Sequence, residues 1–306
     1  MTARAVTTLV AAAGLAAAAA PALGEAALAL EATSELRLQP VTTQGDQPGA
    51  TRALTQPEVI TARTTHDWEY DLDFIFWWPW DNKSKPTAVN VTADVDFNPA
   101  DVFDNASAYA PEIRFEAWSR KGWGISVVGA YHWFDNEGAS GNVGAVPANT
   151  LIDSEVEWYH LDVSAGFRLL DAPADSSGFG AAVVDAFAGL RYGHIDIEHV
   201  AQSNQNVVQQ DDDWIEPIFG IRSKISIRRD IWWSTRFDIS GGGTAWDMTD
   251  LTWMLDTGLE YGLGERTNLL VGYRVQQIDY NTGKGDFVLG IDGTFQGPYL
   301  GINFSF

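Results

Sequence analysis

Ten charged residues stand on the polar face of alternating stretches: Asp185, Arg191, Glu216, Arg222, Lys224, Arg236, Asp238, Asp256, Glu260 and Arg274. Both signs recur on successive stretches. Side chains at period two point to one side of a strand, so these groups share an enclosed wet side if the strands close on themselves. Charges held away from water need partners. Two kinds of chemistry suit such a set. It lines a passage as a selectivity or substrate site, or it fills a small barrel as a salt-bridged plug. The plug is the preferred reading, because small barrels have room only for side chains.

The histidines are the other candidates: His66, His132, His160, His194 and His199. His132 lies beside Trp133. His160 shares a strand face with Asp162 and Ser164. His194 and His199 flank Asp196 and Glu198, and this group alone has the composition of an acid–base or metal site. No His-x-Ser or lipase-like block accompanies it. Asp211, Asp212 and Asp213, with Asp247 and Asp250, offer oxygen ligands of the kind Ca²⁺ takes. Their spacing is not that of an EF-hand, so a solvated acidic loop is the plainer account. No catalytic residue, metal ligand or cofactor is expected.

The elements that must position these groups are strands. Trp68, Tyr70, Leu72, Phe74, Phe76 and Trp78 form one face of the first, with Glu69, Asp71 and Asp73 on the other. Six apolar side chains against three carboxylates at period two is a strong strand signal. Further strands are expected at 88–97, 110–119, 123–134, 156–169, 181–197, 214–227, 231–240, 252–262, 267–280 and 287–306. No window carries the ~18 consecutive apolar residues of a helical span. A chain of this kind in a membrane must therefore close as a barrel, which satisfies every backbone group in lipid.

The connections differ in length. Residues 120–122, 228–230 and 262–266 are tight, whereas 135–154, 198–213 and 241–250 are long. Membrane barrels put short turns in the periplasm and long loops outside. That rule gives an all-β, antiparallel transmembrane β-barrel of about ten strands, within a range of eight to twelve. In the ten-strand count, 88–97 extends an outer hairpin, and Gln296-Gly297-Pro298 is a bulge inside one long final strand.

Composition fits this setting. There are 13 Trp, 15 Phe and 9 Tyr, and aromatics gather at both interfaces of such barrels. Trp78, Trp80, Trp133, Trp214 and Trp253 are expected at the outer interface. Trp123, Trp232 or Trp233, and Phe306 are expected at the inner one. A net charge of −22 argues against nucleic acid, whose binding rests on Lys and Arg. With no cysteine there is no disulfide. Residues 1–29 read as a secretory signal peptide, with one basic residue, Arg4, an Ala-rich apolar run, and cleavage after Gly24 or after Ala29. Residues 30–66, rich in Ala, Thr, Gln and Pro, read as a disordered periplasmic leader. The barrel occupies 67–306.

The chain ends on Leu300, Ile302, Phe304 and Phe306, apolar at every second position. This ending resembles the closing strand of bacterial outer-membrane β-barrels. The blocks "DVFDNASAYAPEIRFEAWSRKGWG" (101–124), "DAFAGLRY" (185–192), "DDDWIEPIFGIRSKI" (211–225) and "LLVGYRVQQIDY" (269–280) are likewise similar to a widespread family of proteobacterial outer-membrane barrels. The resemblance implies location in a Gram-negative outer membrane, contact with lipid and lipopolysaccharide, and insertion by the barrel-assembly machinery, which reads the terminal strand. It implies no catalytic residues and no oligomeric state.

Phe306→Ser tests the assembly signal. Its level in outer-membrane fractions should fall, while refolding in detergent, which bypasses the machinery, should proceed as for the parent. Normal outer-membrane levels would remove this reading of the terminus.

Overall fold

The computed structural model describes residues 67–89, 91–98, 106–143, 146–174, 179–202, 207–241, 250–284 and 287–306. The expected signal and leader segments, His66 and Asp247 lie outside the described residues. The strands are β1 (Trp68–Trp77), β2 (Asp81–Ala88), β3 (Val91–Phe97), β4 (Ala106–Ser119), β5 (Trp123–Val143), β6 (Val146–Ala172), β7 (Ala182–Ala201), β8 (Val207–Arg228), β9 (Ile231–Ser240), β10 (Leu251–Gly262), β11 (Thr267–Lys284) and β12 (Phe287–Ser305). All pair antiparallel, each with its sequence neighbours from β4 to β12, and β12 closes the ring on β1.

Twelve strands make ten staves. β12 pairs with β1 from Tyr299 to Ser305 and with β2 from Leu289 to Gln296. β5 pairs with β4 near its start and with β3 near its end. So β1 and β2 form one stave, broken at Trp78-Pro79-Trp80, and β3 and β4 form the next. The hairpin of β2 and β3 lengthens the wall at one end, as 88–97 was expected to do. Both chain ends of the barrel and the tight turns lie at the opposite end, where Phe306 and Tyr70 exchange backbone hydrogen bonds of 3.0 and 3.2 Å. We call these the loop end and the turn end.

The outer surface carries an apolar belt. Val163, Phe167, Leu190, Ile215, Phe219, Leu259, Val271, Leu300 and Ile302 are each 40% or more exposed on the exterior. A belt of that extent around a closed barrel is a lipid-facing surface. Strand β6 shows how it ends. From the turn end upward its exterior reads Leu169, Phe167, Ala165, Val163, Leu161, Tyr159, Glu157, Glu155, Asp153. Its interior reads Arg168, Gly166, Ser164, Asp162, His160, Trp158, Val156, Ser154, Ile152. Within the belt the inside is polar and the outside apolar. Beyond Tyr159 the two faces exchange character. β6 has 27 residues, whereas a tilted strand crosses a bilayer in about ten. The remainder stands in water, where apolar groups are driven inward instead.

The loop-end half therefore has a true apolar core. Trp77, Phe134, Trp158, Ile195, Ile197, Trp214, Ile278, Leu289, Ile291 and Phe295 are all buried in it. Each is worth about 1.5–3 kcal/mol relative to exposure in water.

This exchange explains where the sequence reading fell short. Residues 135–154 and 198–213, expected as long loops, are largely strand: β5 runs to Val143, β6 starts at Val146, β7 runs to Ala201 and β8 starts at Val207. Among the described residues Asp153, Glu198, Gln209, Asp211 and Asp213 point outward while Ile152 and Val208 point inward, the reverse of the belt pattern. β2 escaped notice because its inward positions, Asn82, Ser84, Pro86 and Ala88, are small or polar. The bulge lies opposite the position expected. β12 alternates without interruption, and Gln296, Gly297 and Pro298 pair in register with β11. The extra residue is in the broken stave: Trp77 faces Tyr299 and Asp81 faces Gln296, so three residues span two. The fold accommodates it at Gly297, where a Cβ would collide with the Trp78 carbonyl.

Ile197 is wholly buried at the loop end, and Leu190, on the same strand, is 58% exposed on the belt. Ile197→Ala should lower unfolding stability by about 2–5 kcal/mol in urea titrations of the refolded protein. Leu190→Ala should cost far less. Equal effects would contradict a packed loop-end core.

Candidate functional site

All ten charged residues singled out in the sequence face the lumen. Arg191, Asp185, Asp238 and Arg274 are among its least exposed side chains, at 0–1%. Alternation puts them inside, and the closed ring brings strands far apart in sequence within reach of one another.

Three clusters join. In the first, Arg274 of β11 donates Nε and Nη2 to the two oxygens of Asp256 on β10, at 2.6 and 2.9 Å. Its Nη2 also lies 2.8 Å from Glu112 Oε2 on β4. Arg114 donates to the other Glu112 oxygen at 2.6 Å and approaches Asp256 at 3.4 Å and Asp73 at 3.9 Å. In the second, Arg191 of β7 holds Asp162 of β6 by a two-pronged bond of 2.7 and 2.8 Å. It also donates to Asp238 at 3.4 Å and to Ser240 at 3.2 Å, and Ser240 donates to Glu216 at 2.6 Å. In the third, Asp185 accepts from Arg222 at 2.8 Å and from Arg168 at 3.0 Å.

Glu116 of β4 ties these together. It pairs with Arg222 of β8 and lies 3.6 Å from Arg236 of β9, which in turn donates to Asp238 at 3.3 Å. β4 and β8 are four staves apart, so these ion pairs cross the lumen. Lys224 holds Glu260 at 3.0 Å nearer the turn end. Aromatic rings back the guanidiniums: Trp118 lies 4.3 Å from Arg222, Phe187 4.4 Å from Arg236, and Trp77 5.3 Å from Arg274.

The sequence list omitted Glu112, Arg114, Glu116, Asp162, Arg168 and Asp73. Their signal was present. Glu112, Arg114 and Glu116 alternate with Ile113 and Phe115, and Asp162 shares the face of His160. The lumen between these charges holds a cavity of about 40 Å³, bordered by Arg114, Arg236, Asp256 and Tyr299.

The histidines separate. His132 and His160 face inward directly above the charge network, their rings 5.4 Å apart, with Trp158 stacked 4.2 Å from His132. His194 faces outward with Asp196 and Glu198, whereas His199 faces inward and is buried. The barrel wall thus divides the acid–base group the sequence suggested. His194 Nδ1 lies 2.7 Å from Asp213, which also accepts the Tyr192 hydroxyl at 2.6 Å. The aspartate triplet divides too. Asp211 and Asp213 point outward, while Asp212 points inward and accepts the Tyr280 hydroxyl at 2.8 Å. Among the described residues no three His, Asp or Glu side chains are placed to hold a metal ion.

Most of the interface aromatics face the exterior. Trp78 stands against Phe76, Trp80 lies 6.5 Å from Tyr273, and Trp123 meets Trp68 edge-on at 4.5 Å. Trp133 donates to Glu155 at 2.7 Å, Trp253 to Gln277 at 3.2 Å and Trp233 to Thr257 at 2.9 Å. Phe306 stacks on Tyr70 at 6.1 Å, and Leu300, Ile302 and Phe304 share its exterior face. Two differ. Trp214 is buried in the loop-end core, stacked 4.5 Å from Tyr280. Trp232 faces the lumen, since adjacent residues of a strand cannot both face lipid and Trp233 does.

No protein-family model matches the chain, and no curated protein matches it. Among solved structures, the outer membrane protease OmpT from Escherichia coli is similar at a TM-score of 0.48 and 8% identity, over 78% of this chain and 97% of that one. Ail, the attachment invasion locus protein of Yersinia pestis, is similar at 0.34 and 10% identity, over 79% and 100%. The translocator domain of the autotransporter NalP from Neisseria meningitidis is similar at 0.38 and 12% identity, over 78% and 87%. The closed strand pairing and the apolar belt define the class without them: a transmembrane β-barrel.

Arg274→Ala leaves the buried Asp256 and Glu112 with Arg114 as their remaining guanidinium partner. It should destabilise the barrel by roughly 3–5 kcal/mol, read as a lower urea midpoint. Arg274→Ala combined with Asp256→Ala should recover part of the loss. Unchanged stability of the single variant would mean that the charges do not brace the lumen.

Proposed function

We propose that this chain is an integral outer-membrane protein of a Gram-negative envelope, with a structural or envelope-interaction role and at most a narrow pore. The observation that carries this reading is the Glu116 crossbar to Arg222 and Arg236, lying beneath an apolar core. A passage for solutes needs a continuous wet lumen, and here ion pairs span the lumen and indole and phenyl rings fill the end beyond it. The tight turns and Phe306 face the periplasm in this reading, and the barrel-assembly machinery receives the exterior row ending in Phe306. The loop end then projects from the cell. Its exterior carries Asp153, Glu155, Glu157, Asp196, Glu198 and Asp211, which suits contact with the lipopolysaccharide layer through divalent cations rather than with other anions.

A passive small-solute channel is the first alternative, and a lipid- or protein-modifying enzyme the second. The enzyme reading drew on His194 acting with His199, and those rings lie on opposite sides of the wall.

Planar-bilayer recording tests the proposal. The parent protein should give no steady unit conductance, and Glu116→Ala should add little, because the apolar core above remains. A large, steady current from the parent would establish the channel.

A further inference from the structure

At the turn end the lumen widens into an open vestibule of about 230 Å³. Its walls are unlike. β1 contributes Glu69 and Asp71, and β8 contributes Arg222 and Lys224. β1 and β8 are five staves apart counted either way round the ring, so carboxylates and cations face each other across the mouth.

The groups are not equally engaged. Arg222 is committed to Asp185 and Glu116 and covered by Trp118. Lys224 keeps 31% of its side chain exposed while holding Glu260. Asp71 accepts from the neutral donors Ser305, at 2.6 Å, and Asn303, at 3.3 Å. Glu69 is exposed at the rim. Trp232 also lines this space, and it has no membrane role there, since Trp233 occupies the lipid face. An indole in a polar mouth, between the partly exposed Lys224 ammonium and the Glu69 and Asp71 carboxylates, is an arrangement for binding rather than for bracing.

We propose that the vestibule is a binding site for small zwitterions of the amino-acid or short-peptide kind. The ligand's carboxylate meets Lys224, its ammonium meets Glu69 and Asp71, and its body lies against Trp232. The lining carries three carboxylates, with Glu260, and three cations, with Arg168, so it is balanced overall. A ligand of single charge engages one wall alone. A zwitterion spanning the mouth satisfies both. The ligand enters from the turn end, because the ion-pair crossbar and the apolar core close the lumen above. Access from the periplasm rests on the orientation proposed above, but binding itself does not.

The test is calorimetry on the refolded protein in detergent with three probes: alanyl-alanine, its N-acetyl form and its C-terminal amide. Alanyl-alanine should bind about fivefold or more tightly than either singly charged form, as expected for partly exposed ion pairs. Lys224→Gln should erase the distinction between carboxylate and amide and keep that between amine and N-acetyl. Glu69→Gln combined with Asp71→Asn should do the reverse. Trp232→Ala should weaken all three probes alike. A heat-dependent shift in gel mobility equal to the parent's checks that each variant is folded. Equal binding of the three probes to the parent, or no heat signal at millimolar concentration, overturns the proposal. A conducting parent that still discriminates the probes would reject the sealed-barrel reading and leave this one standing.

Discussion

A strand that leaves lipid for water must change what it places on each face, and the rest of this barrel follows from that constraint. In the belt, lipid accepts apolar side chains, so the lumen receives the charges. Above the belt, water accepts the charges, and the hydrophobic effect drives the apolar residues inward. The exchange happens on single strands without a change of phase. On β6 it falls between Tyr159 outside and Trp158 inside. On β12 the exterior passes from Leu300 and Ile302 to Asp292 and Thr294, while Ile291 and Phe295 turn inward.

Two unlike materials therefore fill one barrel. The belt half is braced by ion pairs whose members lie on strands as far apart as β4 and β8. Such pairs hold specific geometry but are not a large source of net stability, since each charge was first taken from water. The loop-end half is braced by close-packed rings and aliphatic groups, for which burial is directly favourable. His132, His160 and Trp158 lie at the junction, with the His132 ring 4.2 Å from Trp158 and 5.4 Å from His160. The apolar half closes the lumen toward the loop end, and the charged half leaves a vestibule at the other.

Much of this was legible in the sequence. Period-two alternation gave the belt strands, their phase and the inward face of Asp185, Arg191, Arg222 and Arg274, because side-chain direction in a strand depends only on parity. The stave count followed from tight turns such as 120–122, where Gly122 adopts φ 85°. What escaped was set by environment rather than by period. Residues 135–154 looked like a loop because Asp135 and Asp153 are polar on the face where lipid-facing residues were sought. Trp214 looked like an interface anchor because an aromatic at a strand end has the same signature whether the outside there is lipid or water. The apparent change of phase at Gln296–Pro298 was this same exchange of character, and the true irregularity at Pro79 left no mark on β12. Pairing across the lumen, such as Glu116 with Arg222, depends on ring closure and has no local signal.

The chain has no cysteine, so single cysteines can be placed along β6 and challenged with a water-soluble maleimide on protein refolded into lipid vesicles. With the loop end exposed to reagent, cysteines at Asp153, Glu155 and Glu157 should react quickly, and those at Leu161, Val163 and Phe167 should be shielded by lipid. Cysteines at Val156 and Trp158 should react slowly, because their side chains point into a packed, dry interior. Rapid labelling at Val156 and Trp158, matching that at Glu157, would show a wet lumen through the loop end and contradict the exchange of faces on which this account rests.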